Sequence, residues 1–432
     1  MKAKRLISLF LIFTIMSTTL SFGAEVLVQS PDLGQIRAEE RNTELTSELS
    51  IYSDAVILIE NKTGKTLYEK NSEKKMYPAS TTKILTAILT IEKGNLEDEV
   101  TVSKTALAQM KSGYSSAYLS EGEVMSVENL LTVLLVHSAN DASNVLAEYI
   151  SGSIDNFVDL MNEKAKELGC ENTHFVTTNG LHDDNHYTTA KDLATIARYC
   201  MQNETFRKIV SMKTCTIPAT NKSDKRIYRN TNDMLNPTSI YYYPNCIGIK
   251  TGYTSEAKNC LVSACSKNGL QLIAVVLGAS LTENNKSARY TDSKTLYDYA
   301  YSNYAIQTIA KASSVLGTIE VNHATSETKT LDLILENDIT ALVNTNDNNN
   351  VEPEIKLNNE ISAPIAANSV VGQATFSLNG ETYTANLLAS HDVSRKDTLI
   401  KVLRIVLILI ILIIIFFIFL KAIKKRNFRK KY

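Results

Sequence analysis

The chain has 432 residues, enough for two or three domains and a sizeable buried core. Its 45 Lys+Arg against 46 Asp+Glu leave no whole-chain basic field of the kind that draws nucleic acid. The six cysteines (170, 200, 215, 246, 260 and 265) are too sparse for a small stapled scaffold. None is spaced C-x-x-C, and they are read as mostly free thiols.

Residues 1–24 open with Lys2, Lys4 and Arg5, continue with an apolar run from Leu6 to Met16, and close on Ser21, Gly23 and Ala24. That layout predicts a cleaved secretory signal. Residues 25–50 are polar and acid-rich and are read as a spacer. "DAVILIENKTGKTLYEKN" then predicts strand, Lys-Thr-Gly turn, strand. Helical periodicity follows over 82–92, 126–136, 141–150, 155–168 and 189–201, the last opening on Thr189 and Asp192 as a capping-box variant. From 246 the pattern turns to strands: "GIKTGYT", "NCLVSACSK" and "LQLIAVVLGA", the latter two joined by Asn268-Gly269, a strong hairpin signal. A helix over 287–304 completes this part. Strands from both ends with helices between them predict an α+β domain, an antiparallel sheet flanked by helices, over 51–305.

Residues 306–392 are Thr/Asn/Val-rich with alternating strand-like runs and their own Asn379-Gly380 turn, and predict a small all-β domain. The stretch 344–354, "NTNDNNNVEPE", is read as a loop within it. The run 405–420 holds 16 uninterrupted apolar residues. These cover only about 24 Å. Extension to 399–423, with Lys401, Arg404 and Lys421 snorkelling, predicts a transmembrane helix. Seven Lys/Arg among residues 421–432, with no acid, place the 424–432 tail in the cytoplasm and the body outside the cell.

Three short motifs carry chemistry. Ser80-Thr81-Thr82-Lys83 puts a hydroxyl and an amine three residues apart at a helix start. A serine hydroxyl needs a nearby base, and an i,i+3 lysine can reach it. Such a lysine must be neutral, which desolvation and a second cation favour. Ser138-Ala139-Asn140 sits where one helical run ends and another begins, and Lys250-Thr251-Gly252 lies on the first strand after the helical body. Each motif alone is weak; together and in this order they are strong. Two other features invite a role. His182-Asp183-Asp184-x-His186 clusters imidazoles and carboxylates but lacks a further Cys or His at zinc spacing. His137 is read as structural, and Tyr241–Tyr243 as packing near the cleft.

With "YPASTTKILTA", "LLVHSANDAS", "NGLHDDNHYTTAKDLA" and "GIKTGYT", residues 51–392 resemble the D-alanyl-D-alanine carboxypeptidases, the low-molecular-mass penicillin-binding proteins. The resemblance implies the penicillin-recognising, serine β-lactamase-like fold, a following β-rich domain and a membrane anchor. Anchors in that family are often amphipathic, whereas this one reads as a spanning helix. It implies Ser80 as nucleophile, Lys83 as its base and Ser138 as a proton relay. Asn140 would hold the substrate amide, and Lys250, Thr251 and, less directly, Arg289 the terminal carboxylate. The backbone N–H groups of Ser80 and Tyr253, the latter just after Gly252, would form an oxyanion hole. It implies removal of the terminal D-alanine from peptidoglycan stem peptides through a Ser80 acyl-enzyme, with β-lactams as inhibitors and no metal or organic cofactor. The nearest rival, a class A β-lactamase, carries Ser-Asp-Asn in the middle motif where this chain has Ser-Ala-Asn. A silent wall-binding or β-lactam-sensing protein is the other rival, and intact Ser80, Lys83 and Lys250 count against it.

Overall fold

A computed structural model describes residues 49–428 apart from 109, 111–112, 348–350 and 359. The expected signal at 1–24 and nearly all of the 25–50 spacer lie outside the described residues.

The first sheet begins with β1 (Ala55–Glu60) and β2 (Thr66–Lys70), paired antiparallel across the Lys-Thr-Gly turn. A 3-10 turn, Ala79–Thr82, leads into α1 (Lys83–Lys93). Next come β3 (Glu99–Thr101), the four-residue α2 (Lys104–Leu107), β4 (Val124–Ser126), α3 (Val127–Val136), α4 (Asn140–Ser151) and α5 (Ile154–Glu167). Then follow α6 (Ala190–Cys200), α7 (Glu204–Val210), β5 (Thr214–Ile217) and β6 (Arg226–Arg229). The chain returns to the sheet with β7 (Cys246–Thr254), β8 (Lys258–Lys267) and β9 (Leu270–Ala279), and crosses it with α8 (Ala288–Asn303). Sheet order is β2-β1-β9-β8-β7, antiparallel throughout, so β7 is an edge strand.

Every residue of β1 is buried, which explains its unbroken apolar run: both faces of the sheet are covered. Ala55, Ile57 and Ile59 pack into the helical core, while α8 packs on β8 and β9. Helix α1 is buried over its first two turns, residues 83–90, with α3, α4, α5, α6 and α7 around it. Burial on every side, Thr86 and Thr90 included, puts this helix at the centre of the body. Its first residue is therefore held rigidly at the domain's middle. Side-chain caps fix the surrounding helices: Ser126, Ser153 and Thr189 accept from the backbone N–H of Asn129, Asn156 and Asp192.

Expected element positions match within a residue or two. The pairs β3–β4 and β5–β6, and the short helices α2 and α7, were not anticipated, because segments of three to seven residues carry too little periodicity. Asn268-Gly269 forms a two-residue turn with φ of 52° and 81°, and Lys267 pairs with Leu270 across it.

The second domain holds β10 (Tyr304–Ala310), β11 (Val315–Glu320), β12 (Thr330–Leu335), β13 (Ile339–Asn344), β14 (Glu354–Leu357), β15 (Val370–Leu378) and β16 (Glu381–Ala389). Five strands form a sheet in the order β11-β12-β16-β15-β14, and β10 pairs with β13. Leu331, Leu333, Leu335, Phe376 and Leu387 supply its own core. Helix α9 (Thr398–Phe428) ends the described chain; its Thr398–Ile423 segment has mean hydropathy 3.5 and no buried side chain. At 26 residues it is long and apolar enough to cross a membrane.

Candidate active site

The expected helix start at Ser80 is a 3-10 turn, and Lys83 is the first α-helical residue. Tighter winding serves the pair, because i and i+3 side chains eclipse in a 3-10 turn. Lys83 Nζ lies 2.8 Å from Ser80 Oγ. The turn is braced by its own threonines: Thr81 Oγ1 donates to Pro78 O at 2.7 Å and Thr82 Oγ1 to Ala79 O at 2.8 Å. Ala79, just before the serine, has φ of 47°, a left-handed conformation uncommon for a residue with a Cβ.

Lys83 is wholly buried, the desolvation that a neutral base needs. Besides Ser80 Oγ, its Nζ contacts Asn140 Oδ1 at 2.5 Å and Asn179 O at 2.9 Å. Those two oxygens can only accept, whereas the hydroxyl can donate. A neutral amine has two N–H donors and one lone pair, so this set of partners suits a neutral Lys83 accepting from Ser80. Burial pushes the Lys83 pKa well below its usual value, the Lys250 charge adds to that, and Asp141 partly opposes it.

Asn140 opens α4, and Ser138, buried at the junction before it, has φ of 69°. Asp141 anchors the facing loop by accepting from Ser116 Oγ at 2.6 Å and the backbone N–H groups of Ala117 and Leu119. His137 packs against Tyr228 with ring centroids 4.6 Å apart and the rings tilted by 38°, a packing role as expected.

Edge strand β7 brings the third motif. Lys250 is 1% exposed; burial, then the Arg289 charge, lower its pKa to about 7. Thr251 Oγ1 donates to Thr231 Oγ1 at 2.6 Å. At Gly252 an added Cβ would lie 2.9 Å from Pro78 O and 3.1 Å from Ser80 N, so only glycine lets β7 press against the serine turn. Tyr253 is 64% exposed on the same strand. Arg289 Nη1 donates to Gly252 O at 3.3 Å, its guanidinium lies 4.8 Å over the Tyr290 ring, and its buried Nε has no hydrogen-bond partner.

Asn179 and Gly180, which open the stretch "NGLHDDNHYTTAKDLA", close the site from behind. Asn179 supplies its carbonyl to Lys83, and an added Cβ at Gly180 would lie 1.8 Å from Ala79 O. The Asn-Gly dipeptide was the available signal. His186 is buried; its Nδ1 accepts from the N–H groups of Val176 and Thr177, which leaves the proton on Nε2, 2.8 Å from Thr82 Oγ1. Burial lowers its pKa to about 4. His182 sits 3.4 Å from Asp184 and edge-on to Tyr77. Among the described residues no group of three or more His, Cys, Asp or Glu is arranged to hold a metal ion. Tyr241 stacks on Tyr290 and Tyr243 on Tyr297, the packing expected of the tyrosine run.

A serine on a braced turn, a buried lysine against it and a second buried lysine on the edge strand, all on a helix-flanked antiparallel sheet, define a serine acyl-enzyme former of the penicillin-binding protein fold. The chain belongs to the D-alanyl-D-alanine carboxypeptidase family, peptidase S11, whose profile matches residues 42–281. Residues 304–395 match the C-terminal domain of penicillin-binding protein 5. The chain is 36% identical over 366 residues to the D-alanyl-D-alanine carboxypeptidase DacF of Bacillus subtilis, covering 83% of this chain and 90% of that one. Among solved structures it is similar to the peptidoglycan synthesis regulatory factor PBP3 of Streptococcus pneumoniae (TM-score 0.67, 26% identity, 80% of this chain and 100% of that one). It is also similar to penicillin-binding protein 5 of Haemophilus influenzae (TM-score 0.59, 29% identity, 80% and 99%). It is a serine peptidase with D-alanyl-D-alanine carboxypeptidase activity.

Proposed function

We propose that Ser80 Oγ attacks the carbonyl of the penultimate D-alanine in a peptidoglycan stem peptide, with neutral Lys83 taking the hydroxyl proton. The contact between a wholly buried Lys83 and Ser80 Oγ carries this reading. The backbone N–H groups of Ser80 and Tyr253 would stabilise the oxyanion, as preorganised donors do. Ser138 relays the proton to the departing D-alanine nitrogen. Asn140 orients the substrate amide while its Oδ1 holds Lys83. Protonated Lys250, Thr251 and the unpartnered Nε edge of Arg289 receive the terminal carboxylate. Water then hydrolyses the Ser80 ester, with Lys83 as base. β-Lactams enter as mimics, acylate Ser80 and leave slowly.

The reading divides the chain into a signal at 1–24, a spacer to 50, a catalytic domain at 51–305, a β domain at 306–392, a spanning helix at 399–423 and a cytoplasmic tail from 424. The helix's length and apolarity and the tail's six basic residues support that orientation. Incubating the full chain with an N-acylated tripeptide ending in D-Ala-D-Ala should release free D-alanine, and Ser80→Ala should abolish both release and penicillin labelling. A labelled adduct on a residue other than Ser80 would sink the assignment. Protease added to intact cells should remove the body; trimming of the tail alone would reverse the orientation.

A further inference from the structure

Cys246 and Cys265 face each other across β7 and β8. The Ser266 N–H donates to Asn245 O at 2.9 Å, one residue beyond the pair on each strand, which marks it as a non-hydrogen-bonded position. At such a position Cα atoms stand about 4.5 Å apart and side chains converge. That spacing lies inside the 4.4–6.8 Å window, roughly, that a disulfide accepts. Both cysteines are free. We propose that Cys246 and Cys265 are a reversible redox pair that closes to a cross-strand disulfide when met by a low-molecular-weight disulfide.

Three observations set the order of events. Cys246 is 9% exposed and Cys265 is 0% exposed, so the first encounter falls to Cys246. A hydrogen bond from the Cys265 thiol lowers the Cys246 pKa, while burial and that same bond raise the Cys265 pKa, so Cys246 is the more readily ionised thiol of the pair. Of the six cysteines, Cys246 alone has its thiol lowered; burial pushes Cys170 to about 12, Cys215 and Cys260 to about 11, and Cys200 well above the usual value.

The chemistry balances as two thiol–disulfide exchanges. Cys246 thiolate attacks one sulfur of the small disulfide RSSR, forming a mixed disulfide and releasing RS⁻, which takes up the proton that Cys246 lost. Cys265 then attacks Cys246 Sγ, expelling the second RS⁻, protonated by the proton from Cys265. The protein loses two electrons and two protons, and RSSR becomes two RSH.

The pair lies at the root of the strand that carries Lys250, Thr251 and Gly252. Cys246 Sγ donates to Gly248 O at 3.2 Å, and Asn232 Nδ2 reaches both Gly248 O at 3.1 Å and Cys246 Sγ at 3.8 Å. Closure removes the thiol donor from Gly248 O and ties edge strand β7 covalently to β8.

The test uses the full chain in detergent, treated with oxidised glutathione, alkylated under denaturing conditions and mapped by peptide mass. Expected are a loss of two hydrogen masses, one cross-linked peptide pair joining Cys246 to Cys265, and full reversal by dithiothreitol. Cys265→Ser should retain one glutathione on Cys246, and Cys246→Ser should give neither adduct nor cross-link. Full alkylation of both cysteines in the treated parent, or a disulfide joining a different pair, overturns the proposal.

Discussion

Gly252 and Ser80 are in contact across two elements that meet nowhere near each other in sequence: the Cβ that Gly252 lacks would stand 3.1 Å from the Ser80 nitrogen. The third motif thus sets the depth at which β7 docks on the nucleophile turn. Gly252→Ala should push strand and turn apart, costing about 1–3 kcal/mol of stability as overpacking does. A displaced Ser80 N–H would also miss the oxyanion, for which single-donor loss typically costs about 10²–10³ in rate. Stopped-flow acylation by a fluorescent penicillin beside thermal unfolding checks both, and a parental acylation rate would refute the docking argument.

Arg289 and Lys250 are linked through charge, since the guanidinium is one of the two causes that bring Lys250 to about 7. Lys250 must be protonated to attract a carboxylate, so KM for a D-Ala-D-Ala peptide should rise as pH passes above about 7. Arg289→Ala should raise KM at neutral pH by roughly tenfold, the loss of one charge-assisted contact. It should also move the alkaline rise in KM to higher pH, because Lys250 keeps its proton longer. A raised KM with an unmoved pH profile would leave Arg289 a carboxylate ligand only.

Buried bases make stability depend on pH in predictable windows. His186 titrates at about 4 in the fold against about 6.5 unfolded, so the unfolded chain binds more protons between those values. Stability should therefore rise with pH from about 4 to about 6.5. Lys250, at about 7 in the fold against about 10.4 unfolded, produces the same sign above pH 7. Raised thiols and phenols such as Cys215 and Tyr228 oppose it once their unfolded counterparts ionise, from about pH 8.5. Urea midpoints should climb between pH 7 and 8.5 in the parent and climb less steeply in Lys250→Met, where buried Lys83 still contributes with the same sign. An equal climb in both would remove Lys250 as the cause.

How much of this was legible beforehand follows from the range of each signal. Helix α5 and strands β8 and β9 have apolar periods long enough to read, and Asn268-Gly269 and Asn379-Gly380 have the φ values their residue types favour. That Ser80, Lys83 and Asn140 would be brought together was legible from the motifs, whose members share one turn or one helix junction. The group that seals Lys83 was not, since that carbonyl belongs to Asn179, 96 residues away. A backbone acceptor leaves no residue-type signature. His186 escaped for a related reason: among carboxylates and a second histidine it resembles a ligand, and only the fold turns it toward Thr82.

Lys83 is where chemistry and packing separate most clearly. As a cleft-lining lysine it could change to arginine with little effect on stability; buried against Ser80, Asn140 and Asn179 it cannot. A guanidinium keeps the charge but stays protonated at any working pH, so it can take no proton from Ser80. It also brings more volume and more donors into a space that satisfies three contacts of one nitrogen. Lys83→Arg should therefore lower penicillin acylation by at least ~10², the range of general-base catalysis, and lower the unfolding midpoint as well. Lys83→Met separates the two effects. It fills similar volume without a charge, and should recover stability because an unpaired buried cation is gone, while acylation stays as slow as in the arginine variant. Acylation rates from pH 5 to 10 with matched urea titrations measure this. An arginine variant that acylates at the parental rate would mean that another group takes the Ser80 proton.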